Sequence, residues 1–496
     1  MNHQHAQLRT VLLGTIAVVV FAPVTGVADE FIYRDRKGKT ITVEARLVAS
    51  GQGQHVLELA DGEYRVVPQA VVSQRTPGDP PKPLTPDEVV EKLSQRFGGA
   101  ERFRGKAYGH FVVGLVLDAG LSRAAEGRAQ ECLRKATKFQ RAVEKNFLSF
   151  TRRMRIKTTP PTHPLVLIIF ETDKAFEAYH KEVTGGVGLS AGNVAGFYSP
   201  LSNWLVIRMT ECLTFDTPLH EAIHQQVFNQ HVLQRLAPTP AWFNEGIATG
   251  FEGNGDQVSR GPSKVSVRYS RLANSARTVN WPILVKDDRA FRGDIFAGEA
   301  YTHAWCMHWL LVTKYKKEYT KYVERIGQDE PLAEHDPNQR RQDMEEIFGK
   351  SVKELQAEFP RALMSAVKRQ KLPAPKTRRA GELNLQSNLA DVTLVGVTGS
   401  RGQFGTEGAI RNISLIRPMT FHVVALTDSG MYAEWVIPNL GINKQVALKL
   451  QTANKRARGA RGGSSRSFRL QVNSAAPDSR DAKLWEAGNT PAPTTR

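Results

Sequence analysis

Two histidines one helical turn apart, followed by a glutamate on what reads as a second helix, constrain this chain more than any other feature of its 496 residues. The stretch is "TPLHEAIHQQVFNQHVLQRLAPTPAWFNEGIATGFE", residues 217–252. Thr217 reads as a helix N-cap, with Pro218 in the first helical position, where a missing N–H costs nothing. Leu219, Ala222, Ile223 and Val227 then form an apolar stripe, so a half-buried helix is expected. On such a helix His220 and His224 face the same way. Two imidazoles so placed can converge on one Zn²⁺ at about 2.0–2.1 Å. Glu221 then lies beside them, where a general base would act on a metal-bound water. A bare match of this kind can also be a solvated or core segment with no chemistry, so the third ligand decides.

His231 is the nearest candidate. One zinc pattern places a third histidine six residues after the second and a glycine at the third. Those positions hold Gln230 and Val227 here, so His231 reads as an exposed helix-end residue. Glu245, 21 residues after His224, fits better. "PTPAWFNEGIATGFE" reads as a second helix, capped by Thr239, with Pro240 first and Trp242, Phe243, Ile247 and Phe251 as its apolar contacts. A carboxylate there completes two histidines and leaves one zinc position open to water, the arrangement of a catalytic rather than a structural site.

"HEAIH" followed by "WFNEGIA" resembles the gluzincin metallopeptidases of the peptidase-MA type, in particular a family of largely uncharacterised secreted bacterial proteins. The resemblance spans residues 108–370. "GFYSP…NWLVIR" resembles the family's substrate-binding edge strand, which points to Trp204–Met209 for β-addition of a peptide. "YTHAWCMHWLL" resembles the next active-site helix, and "IFGKSVKELQAEF" the closing helix. The resemblance implies a zinc peptidase with His220, His224 and Glu245 as ligands and Glu221 as base. It also implies an oxyanion donor from the later helix, where "AYTHAW" offers Tyr301 and His303. Residues two apart on a helix point about 200° from each other, so only one can face the metal. The resemblance favours Tyr301. One departure is visible: many gluzincins carry an acidic residue four after the ligand glutamate, and Thr249 stands there, so support for the ligand histidines is expected to be weak.

The rest of the chain reads as α+β with flanking β modules. Residues 1–28 look like a cleavable export signal, with the apolar run "VLLGTIAVVVFA" too short for a span of about 20 residues. An exported protein in the periplasm, envelope or medium of a bacterium is expected. Residues 29–76 alternate with period two and resemble the Sla-type homology domain, which implies a small β-barrel. A Pro-rich linker and a short helix starting at Thr85 fill 77–107, and the peptidase-like region follows at 108–370. A basic linker covers 371–387. Residues 388–473 read as a β-sandwich weakly similar to extracellular FxLYD-type domains, and 474–496 as a disordered tail.

The formal charge of +18 lies partly in runs such as "RRMRIK" and "KRARGARGGSSRSFR". In an exported protein such a surface suits anionic cell-wall polymers rather than nucleic acid, or is simply a solvated face. Three scattered cysteines exclude a disulfide-dense scaffold and lack zinc-ligand spacing. The rival to a peptidase acting on peptides or proteins is a non-catalytic envelope scaffold with a vestigial zinc site.

Overall fold

A computed structural model describes residues 28–35, 37–78, 81–184, 194–252, 261–275, 280–291, 297–334, 336–370, 382–398, 404–427, 432–452 and 468–491. The segment up to residue 27 expected to be an export signal, the Gly-rich stretch at 185–193, most of the expected basic linker and the basic run at 453–467 lie outside the described residues.

The described residues form a mixed α+β protein with four sheets. The first sheet contains β1 (Ala28–Arg34), β2 (Thr40–Gly51), β3 (Gln54–Glu58), β4 (Tyr64–Pro68) and β5 (Val72–Pro77), all antiparallel, in the order β4-β3-β2-β1-β5. Period-two alternation puts Phe31, Tyr33, Ala45, Leu57 and Val67 on one face, where they form a small core. The expected barrel is not closed among the described residues: β4 and β5 are the two edges. Tyr64, at the start of β4, instead donates its N–H to the Leu201 carbonyl at 2.6 Å, far along the chain.

The second sheet positions the site. It is built from β6 (Phe103–Tyr108), β7 (Phe111–Val116), β8 (Leu165–Phe170), β9 (Gly196–Ser199) and β10 (Trp204–Arg208), in the order β6-β7-β8-β10-β9. β7, β8 and β10 are parallel, and β6 and β9 run antiparallel at the edges. β7 and β8 are fully buried runs, as expected of strands covered on both faces. The helix Arg123–Met154 and the motif helix cover one face. The helices Pro86–Arg96 and Asp173–Thr184 cover the other, over a cluster of Phe103, Phe170, Phe176, Tyr179 and Trp204. Thr85 caps the first of these in a full capping box with Glu88. The sequence places β-addition on the Trp204–Met209 strand. The structure corrects this: β10 is interior, and its partner β9 is the edge.

At the C-terminal end, β11 (Glu382–Ser387), β12 (Ala390–Thr398), β13 (Phe404–Asn412) and β16 (Gln445–Thr452) form one sheet. β14 (Met419–Thr427), β15 (Tyr432–Leu440) and β17 (Phe468–Ala475) form the other. Their inner residues, among them Val392, Leu394, Ile410, Phe421 and Val472, belong to the same apolar core as the motif helix and the long helix. Arg417 fastens this contact: its Nε lies 2.7 Å from Glu171 Oε1, and its Nη groups donate to the Ala119 and Gly120 carbonyls at 2.8 and 3.0 Å. The tail expected to be disordered contains a helix, Arg480–Glu486. Ser479 caps it, and Trp485 packs into a small cluster with Ala475 and Ala482. A seven-residue helix with one apolar anchor is too short to show a period in sequence. Among the described residues, no helix is long and apolar enough to cross a membrane.

Candidate metal centre

The motif helix spans Asp216–Asn229 and starts earlier than its sequence suggests. Phe215 is the N-cap, in the left-handed region at φ 57°. The 3₁₀ turn Met209–Leu213 leads into it through the Phe215 N–H, which donates to the Glu211 carbonyl at 2.8 Å. A stack on Phe139, with ring centroids 4.5 Å apart, holds Phe215 there. Thr217 therefore lies in the first turn, not at the cap. Leu219, Ala222, Ile223 and Val227 are buried in the main core, as the apolar stripe predicts. That packing turns His220 and His224, both nearly buried, toward the second helix.

The second helix is Ala241–Phe251, with Pro240 rather than Thr239 at the N-cap. The free N–H of Ala241 is taken by Asp288 Oδ1 at 2.9 Å. A Cβ on Gly246 would stand 2.7 Å from the Ala304 carbonyl, so only glycine lets this helix approach Ala297–Lys314 as closely as it does.

His220, His224 and Glu245 converge on one point. His220 Nε2 lies 2.9 Å from Glu245 Oε2 and 3.1 Å from His224 Nε2, and His224 Nε2 lies 3.5 Å from Glu245 Oε2. Three donors bound tetrahedrally to one zinc ion would stand about 3.3 Å from each other, which is the size of this triangle. The far ring nitrogens support the same reading. His220 Nδ1 faces Glu252 Oε1 at 3.0 Å, and His224 Nδ1 faces Asn244 Oδ1 at 3.2 Å. Both partners are acceptors, so both Nδ1 atoms carry hydrogen. In the neutral rings, both Nε2 lone pairs then point at each other and at a carboxylate. A cation relieves that arrangement, and the donor set of two imidazoles and one carboxylate suits Zn²⁺. A proton is the alternative cation: burial lowers the proton affinity of His220, but its bonds to Glu245 and Glu252 outweigh this and hold it well above the usual histidine range, so a metal would have to displace that proton. Burial alone would raise Glu245. The two imidazoles overcome that and keep it ionised far below the ordinary carboxylate value.

Glu221 lies next to the triangle. Its Oε2 accepts from the Tyr198 backbone N–H of the edge strand at 2.8 Å. Burial raises its pKa, against the pull of His220 and His224. Beneath it, Tyr198 Oη donates to Asn203 Oδ1 at 2.7 Å, and the Asn203 and Asn229 side chains bond each other at 2.7 and 2.8 Å. This buried network ties the edge strand to the motif helix.

Of the two candidates on the later helix, Tyr301 stands beside the triangle. Its ring centroid is 5.9 Å from that of His220, and burial together with the nearby Glu245 carboxylate pushes its hydroxyl pKa up. His303 faces elsewhere, accepting from Trp281 Nε1 at 3.0 Å. His231 is exposed just past the motif helix, at φ 54°, and is no part of the cluster.

The expected weakness at Thr249 is made good from another position. The Thr249 hydroxyl donates back to the Glu245 carbonyl at 2.8 Å and reaches neither His220 nor His224. Glu252, seven residues after Glu245, supports His220 instead. It is itself held by the Tyr269 hydroxyl, 2.9 and 2.8 Å from its two oxygens. Reading the sequence missed Glu252, Asn244 and Tyr269. The two-turn spacing of Glu245 and Glu252 was the available signal for the first. Glu252→Gln should lower zinc affinity by about 10–100-fold, read by chelator competition. Tyr269→Phe should do less, and unchanged affinity in Glu252→Gln would deny the carboxylate this role.

No curated protein matches the chain. Among solved structures, the Streptococcus agalactiae AgI/II polypeptide BspA variable (V) domain is similar over 21% of this chain and 78% of that one, at 15% identity and a TM-score of 0.12, too slight to bear on the fold. Residues 215–333, which hold the triangle, Glu221, Glu252 and Tyr301, match the family described as "Protein of unknown function (DUF1570)".

Proposed function

We propose that this chain is an exported, zinc-dependent metallopeptidase with a zincin-like catalytic domain. The observation that carries the reading is the His220–His224–Glu245 triangle with the Glu221 carboxylate and an edge-strand amide beside it. A bound zinc would supply Lewis-acid polarisation and a more acidic water. Glu221 would take the proton of the attacking water and return it to the leaving amine. Its raised pKa suits that task, because a stronger base draws the proton more readily. An extended peptide would lie along β9, the edge strand of the sheet, rather than along β10. The Tyr301 hydroxyl, close to His220, would donate to the oxygen that becomes negative during attack.

The test is hydrolysis of a fluorescent casein by the purified protein. Activity lost to a chelator and restored by zinc supports the reading. Zinc bound without hydrolysis would favour the non-catalytic envelope scaffold. Tyr301→Phe should lower kcat by about 10²-fold with little change in KM, since the lost hydrogen bond forms only in the transition state. His303→Ala should be milder. A collapse in His303→Ala beside an unchanged Tyr301→Phe would transfer the role.

A further inference from the structure

The turn that ends the edge strand is held from outside the catalytic sheet. Arg235, eleven residues after His224, is 8% exposed. Its Nη1 donates to the Pro200 carbonyl at 3.2 Å, in the β9–β10 turn, and to the Gly62 carbonyl at 2.8 Å, in the N-terminal sheet's β3–β4 turn. Its Nη2 lies 3.3 Å from Glu58 Oε1, and its guanidinium carbon sits 3.5 Å from the centre of the Tyr64 ring. The neighbouring Tyr64 N–H donates to the Leu201 carbonyl in the same β9–β10 turn. Glu58, 7% exposed at the end of β3, also accepts from Arg46 Nε at 2.7 Å and lies 3.4 Å from His163 Nε2. Burial would raise the Glu58 carboxyl, but His163, Arg46 and Arg235 together hold it down to about 2. Two further bonds tie the module down: the Leu84 N–H to the Ala60 carbonyl at 2.8 Å, and Gln52 Nε2 to the Leu332 carbonyl at 3.0 Å.

A β module that merely swings on a Pro-rich linker has no need to bury a guanidinium and a carboxylate against the catalytic region. The geometry gives that guanidinium a job. Its planar fork reaches two backbone carbonyls and a carboxylate from two separate nitrogens while lying over the Tyr64 ring, a spread that the single nitrogen of a lysine lacks. One of those carbonyls lies two residues beyond Tyr198, whose N–H meets Glu221. The far side of the same turn is fixed by the Tyr198–Asn203–Asn229 network.

We propose that Arg235 is a positioning residue that welds the N-terminal sheet to the β9–β10 turn, and so holds the edge strand in register beside Glu221. The N-terminal sheet is then part of the site's frame. The kinetic side of this inference rests on the peptidase reading; the structural side does not.

Hydrogen exchange and kinetics on the full chain test it together. Arg235→Ala should speed exchange of the amides of residues 196–208 by about tenfold or more, since local opening becomes easier. Bound zinc should be unchanged. KM for a peptide substrate should rise several-fold with kcat within about twofold, because a misaligned edge weakens ground-state and transition-state binding alike. Arg235→Lys should fall between the two. Glu58→Gln removes the charge pair while keeping both carbonyl bonds, and should give a smaller acceleration in the same amides. It serves if Arg235→Ala does not fold. Unchanged exchange at 196–208 in the folded variants would overturn the proposal. Accelerated exchange in a protein that hydrolyses nothing would uphold the weld and count against the peptidase. Hydrolysis with exchange and KM both unmoved would uphold the peptidase and remove the weld.

Discussion

Glu221→Gln should keep the fold and the zinc yet lose nearly all turnover, by about 10²–10⁴-fold or more. The amide has almost the shape of the carboxylate and is not among the three converging ligands. Its oxygen can still accept from the Tyr198 N–H, so the edge strand should stay in place. What it cannot do is take a proton. Equal zinc content in the variant and the parent, measured beside a collapsed kcat, separates loss of the base from loss of the metal. Parent-like hydrolysis by the variant would remove Glu221 from the reaction.

Glu245→Ala should lose most of the bound zinc, while His231→Ala should keep it. Truncating Glu245 takes away one of three ligands and with it the only carboxylate in the triangle. The two Nε2 atoms at 3.1 Å are then left facing each other without the anion that draws a cation between them. His231 is exposed beyond the helix end and supplies nothing. Metal analysis after gel filtration reads the difference directly. The opposite ranking of the two variants would overturn the ligand set.

Much of this cluster was legible in the sequence because helical periodicity carries it. His220, Glu221 and His224 share one turn, and the apolar residues between them fix which way that turn faces. Glu245 could be named because "WFNEGIA" is itself a short helical pattern with its own apolar residues. The supporting groups were not legible. Glu252 follows the last residue of its helix, and Tyr269 comes from a separate helix, Val267–Ser275, so only tertiary packing brings them to His220. Tyr301 and His303 lie on a helix that is apolar nearly all round, which leaves its rotation undetermined until Gly246 docks it. β6 has no clean alternation and escaped notice as a partner of β7. The edge assignment failed for a related reason: β9 has only four residues, whereas β10 carries the strong apolar run that belongs in a sheet interior. Arg235 sits in "LQRLAP", where a lone arginine gives no hint that it will be buried.

The continuity of the apolar core bears on how such a chain is made. Arg417 and Glu171 are 246 residues apart in sequence, yet they meet in a nearly solvent-free contact. The long helix Arg123–Met154 and strands β12, β13 and β14 pack into that core from opposite ends of the chain. A ribosome delivers the N-terminal partner first. Until β14 and its neighbours emerge, part of the earlier layer has no cover, and Glu171 is left without its cation. Folding in order of synthesis therefore cannot finish domain by domain. The layers around the motif helix must wait, partly open, for the last strands, and the loops closed at that moment are long.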